Sequence, residues 1–354
     1  MTTHTIRVES LDREVQCRED QNILDACLRA GVWLPHACTH GTCGTCKVEV
    51  LEGDVNHQDA SAFALMDFER NEGKTLVCTA TPESDVVIDA DVEAEKGVTM
   101  HPVQDFVGTL SVLEDCARET RRLVFDLDRE ITFNAGQYVQ VELPGGDEVT
   151  RSWSVASPPG QTTQIELNIR RTPGGRGTDG WVFKDLKVGD QVKIAGPYGR
   201  FFFRTARENA AIMIGGGTGL APLKSMVRHV LETGTGQTMY LYHGVRGAAD
   251  LYDVEFFRGL AAEHPDQFFY RPCLSEEDGV EGTSHGLVTD VVMGDFPTLR
   301  GMVAYLCGPP PMVEASLKML MRKRLFPRDT YREDFFDSSD KATGGVRSPL
   351  IRTS

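Results

Sequence analysis

The sequence predicts a multidomain protein in which a small α+β domain is followed by an antiparallel β-barrel and then by an α/β domain with a parallel sheet. Three observations predict it. Residues 38–46, CTHGTCGTC, set three cysteines among glycines and threonines, inside a stretch of short strands gathered about one helix. Residues 102–205 run as strands punctuated by Gly and Pro turns, and from residue 209 the pattern becomes strand, glycine turn, helix.

The first segment begins with two strands, HTIRVES and REVQC, joined by a turn at Leu11–Arg13. In NILDACLRAG the apolar residues Ile23, Leu24, Cys27 and Leu28 form a helical stripe that Gly31 closes. CKVEVLEG alternates like a strand, FALMDFERNEG reads as a helix, and TLVCTAT and DVVIDAD read as further strands. The second segment, from HPVQDFVGTLSVLED, has the strand spacing of a small barrel, with one helix near GTDGWVFKDL. The third alternates AAIMI, a glycine turn and a helix, then TMYLYHGV, an amphipathic helix near DVEFFRGLAAEH, the strand FFYRPCL, and finally MVAYLCGPPPMVEASLKMLMRKRLF. Such alternation builds a parallel sheet covered on both faces. SSDKATGGVRSPLIRTS is polar and is expected to be a disordered tail.

At 354 residues the chain is long enough for two or three cores, and its 40% apolar and 25% charged content is ordinary for a globular protein. No run approaches the roughly 18 apolar residues of a membrane span, and MTTHTIRVESLDREV lacks the apolar stretch of a signal peptide. A cytoplasmic protein without membrane association is therefore expected, and in that reducing setting nine cysteines read as metal ligands or redox groups rather than a disulfide framework. The net charge of −15 is uneven: residues 1–95 carry 19 Asp and Glu against 7 Lys and Arg, the remainder 33 against 30. Nucleic acid is a poor partner for such a surface. The acidic excess reads either as a solvated face or as a docking face for a basic patch of another protein.

Cys38, Cys43 and Cys46 are spaced x4 and x2, and Cys78 follows far downstream in TLVCTAT. This is the plant-type spacing for a [2Fe–2S] cluster, and Gly41, Thr42, Gly44 and Thr45 leave room for an inorganic core and aim N–H groups at sulfur. Zinc is the competing reading, but its four-thiolate sites pair one C-x2-C with another, and here the fourth ligand stands alone. Cys17, Cys27, Cys116 and Cys273 lack such company and read as small buried hydrophobes.

GVWLPHACTHGTCGTCKVEVLEGDV resembles the N-terminal ferredoxin domain of the reductase components of bacterial multicomponent oxygenases. The resemblance implies a β-grasp [2Fe–2S] domain over residues 1–97, an FAD-binding barrel over 102–205, a Rossmann-like NAD domain of the ferredoxin–NADP reductase kind over 206–337, and a tail over 338–354. It assigns Arg151, Ser152, Trp153 and Ser154 to the family's R-x-Y-S flavin motif, with Trp153 in place of the usual Tyr. It assigns Asn168, Ile169 and Arg170 to a flavin-lining strand, and Gly175, Arg176, Gly177 and Thr178 to the second phosphate contact of FAD, at a helix start where free N–H groups suit an anion.

GGGTGLAP departs from G-x-G-x-x-G, yet Gly215, Gly216, Gly217 and Gly219 permit close backbone approach to a phosphate. In the resembled family Thr218 faces the nicotinamide, YLCGPPPM walls its pocket with Cys307, Gly308, Pro309 and Met312, and Glu333 with Phe335 lies beside the flavin, Phe336 being an alternative to Phe335. YHGVRGAADLYDVE offers Arg246 alone among acids for a 2′-phosphate, which favours NADH over NADPH.

The resemblance implies electron flow from NADH through FAD and the cluster, across the acidic ferredoxin domain, to the hydroxylase component of a soluble diiron monooxygenase, of the phenol hydroxylase and alkane or alkene monooxygenase group. A Rieske ring-hydroxylating dioxygenase is the runner-up acceptor. A stand-alone carrier is disfavoured by the intact RSWS, GGRGT and YLCGPPPM elements, and an oxygenase by the lack of a Glu-x-x-His pair.

Overall fold

The computed structural model describes residues 2–92, 97–145 and 149–334. Phe335, Phe336 and the polar tail lie outside them. Three large sheets follow one another along the chain, with a two-stranded pair, Val55–Asn56 against Thr81–Pro82, within the first segment. In the first, the strands run in the order Arg13–Arg18, Thr3–Val8, Val86–Asp89, Lys47–Glu52, Lys74–Leu76, with Thr3–Val8 and Val86–Asp89 parallel and the other neighbours antiparallel. The helix Ile23–Arg29 is capped where the Asn22 side chain accepts the Asp25 N–H at 2.7 Å, and it ends at Gly31 in the left-handed region. Its Ile23, Leu24, Cys27 and Leu28 share a core with Ile6, Val15, Val48 and Ile88, which is the β-grasp arrangement.

Two local expectations change. TLVCTAT is a strand only to Leu76; Thr79 and Ala80 then donate to the Leu76 carbonyl, so Cys78 sits in a tight turn rather than on a strand. In FALMDFERNEG the helix is one short turn, Asp67–Asn71, because Ala64 and Leu65 drop into the core and hold the preceding residues as turns.

The second sheet has six antiparallel strands in the order Thr150–Ser154, Tyr138–Glu142, Gln191–Tyr198, Gln104–Ala117, Thr120–Leu127, Gln164–Arg170. A bridge between Val155 and Leu167 brings its two edges together, so the sheet closes into a barrel. Inward residues from every side, among them Leu123, Phe125, Val139, Val141, Leu167 and Ile194, fill it. The helix expected near GTDGWVFKDL is a single π-type turn, Thr178–Val182, whose Trp181 and Val182 plug the barrel.

The third sheet is wholly parallel, in the order Ser284–His285, Phe268–Leu274, Met239–Val245, Ala211–Gly216, Val303–Gly308, Thr330–Asp334. Its central strand shows how a continuous apolar run serves two faces. Ala211 and Met213 pack under the helices Leu220–Thr233 and Val254–Glu263, whereas Ile212 and Ile214 pack under Val288–Asp295 and Pro310–Arg322. The chain leaves Ala211–Gly216 toward one edge and returns on its other side at Val303–Gly308. A crevice therefore opens at the carboxyl ends of these two strands, where the strand order reverses.

Candidate functional site

The four cysteines of the expected cluster come together as two pairs. Cys38 and Cys43 share a hydrogen bond, and so do Cys46 and Cys78. In each pair one thiol is held down by the other: Cys38 lies at about 4, chiefly through the bond from Cys43, and Cys46 is lowered through Cys78. Main-chain N–H groups also reach the sulfurs, from His40 to Cys38 at 3.4 Å and from Gly41 to Cys78. Gly41 and Gly44 have left-handed φ angles of 72° and 77°, and a Cβ on Gly41 would stand 2.8 Å from the Thr79 methyl beside Cys78. Two cysteine pairs suit the two irons of a [2Fe–2S] cluster. Cys38, Cys46 and Cys78 are buried and Cys43 is half-buried.

The barrel brings the expected flavin residues into one region. Arg151 lies beside the turn that starts at Gly177, its Cγ 3.0 Å from where a Gly177 Cβ would stand, and Arg176 lies beside Gly145. The two proposed phosphate contacts therefore meet. Thr178 holds that turn through its Oγ1, which accepts the Thr172 N–H at 3.0 Å, and Gly175 is pressed against the same hydroxyl. Trp153 stacks on Trp181, centroids 6.4 Å apart and planes at 22°, so the Trp that replaces Tyr in this motif is braced from below. Ser152 is exposed and Ser154 half-buried. Asn168 is buried, and its Oδ1 has no partner among the described residues, the state of an acceptor reserved for a bound donor. Ile169 is a correction: its side chain turns into the barrel core at 1% exposure, so only its main chain can line a flavin.

At the crevice, register places Gly215 opposite Cys307 and Cys307 opposite Glu333, so the three elements from the sequence end side by side. The glycines owe their identity largely to one another. A Cβ on Gly216 would stand 2.6 Å from Met312 Sδ and 2.8 Å from Pro309, one on Gly219 would overlap the Cys307 carbonyl, and one on Gly308 would meet Met312 and the Gly216 N–H. GGGTG and CGPPPM are thus pressed into a single wall. Gly217, at φ 55°, has Arg170 Nη1 of the barrel 3.8 Å from its Cβ position, and Thr218 beside it is half-buried. Cys307 is 1% exposed and belongs to the apolar core under the helix Leu220–Thr233, so it bounds the crevice from below.

Several residues about this site carry no motif and were missed. His243, fully buried, and Tyr252 reach the Gly217 carbonyl at 3.3 and 3.4 Å and fix the glycine turn; burial pushes the His243 imidazole down to about 4, so it stands neutral. Lys224, on the helix that follows GGGTG, bonds Glu166 at 2.8 Å and Asp253 at 2.8 Å, and Arg122 joins both carboxylates. Glu166 also accepts from the Asn168 amide, so this ionic knot ties the barrel strand Gln164–Arg170 to the helix that follows GGGTG. On the other side, the loop carrying Cys38 is latched to the barrel. Tyr138 Oη donates to the Ala37 carbonyl at 3.1 Å, Gln140 Nε2 to Thr39 Oγ1 at 3.1 Å, and Gly199 N–H to His36 Nε2 at 3.2 Å. A Cβ on Gly199 would stand 3.9 Å from Glu333 Oε1, so this latch adjoins the crevice. Only an alternating strand pattern marked Tyr138 and Gln140 in the sequence.

Comparison with known proteins agrees with this geometry. Residues 6–83 match the 2Fe-2S iron-sulfur cluster binding domain family, 108–203 the oxidoreductase FAD-binding domain family, and 213–318 the oxidoreductase NAD-binding domain family. The chain is 44% identical to the reductase component of phenol 2-monooxygenase from a Pseudomonas species, over 99% of both chains. It is 42% identical to a cytochrome P450 reductase of Amycolatopsis whose crystal structure superposes with a TM-score of 0.87, covering 94% of this chain and 99% of that one. The reductase component of a naphthalene 1,2-dioxygenase system of Pseudomonas putida is 34% identical over 89% of this chain and 93% of its own. Iron-sulfur, FAD-binding and NAD-binding domains thus stand in line along one chain. It belongs to the reductase components of bacterial multicomponent oxygenases, NAD(P)H-dependent oxidoreductases that pass electrons from NADH through FAD and a [2Fe–2S] cluster to an oxygenase component.

Proposed function

We propose that the acceptor is the hydroxylase component of a soluble diiron monooxygenase of the phenol hydroxylase kind, met in the cytoplasm and docked on the acidic ferredoxin domain. The observation that carries this reading is the end-to-end identity with the phenol 2-monooxygenase reductase, which exceeds that with the naphthalene dioxygenase reductase in both degree and span. A cytochrome P450 acceptor is a second reading, favoured by the Amycolatopsis relative.

Nicotinamide delivers two electrons together as hydride, a [2Fe–2S] cluster accepts one at a time, and flavin chemistry joins the two. The chain's own part is to hold and orient. Cys38, Cys43, Cys46 and Cys78 would hold the cluster. Arg151 with the Gly175–Thr178 turn would hold the FAD phosphates, while Trp153, Ser154 and Asn168 border its ring. Gly217 and Thr218 would position the nicotinamide, with Cys307 and Glu333 bounding the place of hydride transfer. No general acid, base or nucleophile is required of these residues.

NADH is favoured over NADPH. Arg246 follows the second strand of the parallel sheet but is 3.8 Å from Glu276, and Glu277 crowds Gly247 beside it, so a 2′-phosphate would face carboxylates. Turnover with purified hydroxylase components tests the acceptor. NADH-dependent product formation is expected to be fastest with a phenol-type diiron hydroxylase, slower with a Rieske dioxygenase or a P450. Equal or faster turnover with either of the latter would refute it.

A further inference from the structure

The latch of Tyr138, Gln140 and Gly199 onto residues 36–39 gives the cluster loop an inside and an outside. Cys38 belongs to the latched, inner limb. The outer limb carries Cys43, the one half-buried thiol of the four, and the segment 59–66 lies against it. Ser61 N–H donates to the Gly41 carbonyl at 3.0 Å, Ala60 packs 3.3 Å from the Gly41 Cβ position, and the Ala64 carbonyl oxygen lies 3.6 Å from the Cβ position of Gly44. Ala64 and Leu65 anchor this segment in the core, at 6% and 0% exposure. Their neighbours do the reverse: Phe63 is 73% exposed, Met66 47% and Phe68 57%. Elsewhere among the described residues large exposed apolar side chains are scattered, whereas here three fall within six positions of chain, next to the outer limb. Exposed Asp59, Asp67 and Glu72 surround them in sequence, while Glu69 is occupied by Lys47 at 2.5 Å.

We infer that Phe63, Met66 and Phe68 form the anchor by which the oxygenase component docks, into an apolar recess ringed by Lys and Arg, so that electrons leave singly past Cys43 to its oxidised metal centre. This rests on the proposed function and deepens it from an acidic domain to a defined patch. An apolar centre within a charged rim is the anatomy of a transient interface in which a few aromatic anchors hold and the charges steer. The acidic excess of residues 1–95 matches a basic rim.

The test measures the Kd of the full-length holoprotein for the purified hydroxylase component of a phenol monooxygenase, alongside NADH-driven turnover. Phe63→Ala with Phe68→Ala is expected to raise Kd about tenfold with an unchanged salt slope and unchanged NADH–ferricyanide activity. Asp59→Lys with Asp67→Lys is expected to weaken binding and flatten the salt slope. Val188→Ala, a lone exposed apolar residue on the barrel, serves as control and should change nothing. Wild-type turnover with a Kd indifferent to the Phe pair overturns the patch alone. No binding or turnover with any oxygenase component overturns the acceptor reading and the patch with it. Self-association of the wild type that the Phe pair abolishes assigns the patch to a second copy of the chain, and also overturns it.

Discussion

The barrel is joined on two sides by different chemistry. Toward the ferredoxin domain the contacts are neutral: three hydrogen bonds from Tyr138, Gln140 and Gly199, the Trp33 indole to the His101 carbonyl at 3.1 Å, and Tyr138 and Tyr198 packed into the ferredoxin core. One ion pair, Arg29 with Asp105, lies at the rim. Toward the NAD domain the joint holds a largely buried ionic knot, with Lys224, Glu166, Asp253 and Arg122 bonded together, while the exposed Arg118 pairs with Asp250 at its rim. Net hydrogen-bond contributions are about 1 kcal/mol each, whereas removing one member of a buried ion pair costs about 3–5 kcal/mol. The hydride joint is therefore the stiff one, as transfer over a bond length demands close alignment. The electron joint tolerates a softer fit.

Breaking the path on the soft side gives the largest functional effect. Cys78→Ser is expected to reduce NADH-dependent cytochrome c reduction to background while NADH still bleaches the flavin in rapid mixing; parallel loss of both would mean the two cofactors do not act in series. On the stiff side, Lys224→Met leaves two carboxylates sharing Arg122 in a dry setting. Denaturant unfolding should show a loss of about 3–5 kcal/mol and flavin reduction should slow, with cluster absorbance intact. An unchanged midpoint would show that the knot is not structural. Tyr138→Phe should cost only about 1 kcal/mol and slow flavin-to-cluster transfer without altering flavin reduction by NADH.

Acid probes the same contrast. His243 has its proton affinity lowered by burial, from 6.5 to about 4. Between those values the unfolded chain binds the proton and the folded chain does not, so its contribution is whole above pH 6.5 and is lost as pH falls toward 4. The neighbouring phenols of Tyr252 and Tyr270, both pushed upward by burial, stay neutral throughout. KM for NADH should stay level until pH nears 4, where the folded protein's His243 takes up its proton and the Gly217 turn loosens, and His243→Gln should flatten that rise. A pH profile identical to wild type would separate His243 from the turn.

Much of the site could be read in the sequence because its parts are local. Four thiols at x4 and x2 with one distant partner, glycines where no Cβ fits, and strand–glycine–helix alternation are each set by a few neighbours along the chain. Cys78 and Ile169 show the limit. Cys78 was placed on a strand because its neighbours are β-formers, yet backbone bonds to Leu76 bend it into a turn; Ile169 was drawn toward the flavin by motif, yet strand alternation turns its side chain inward. The sixth strand of the parallel sheet, Thr330–Asp334, and the helix Val288–Asp295 had no clear signal of their own.

From residues alone came the three-part order, the spacing of the four cysteines and the two glycine-rich loops, since short-range sterics dictate them. Tertiary structure alone decided which glycines press on which, how Lys224 ties two domains, and which limb of the cysteine loop faces inward. Those depend on groups up to about 160 positions apart, such as His36 and Gly199, and no local pattern encodes a contact whose two halves meet only after folding.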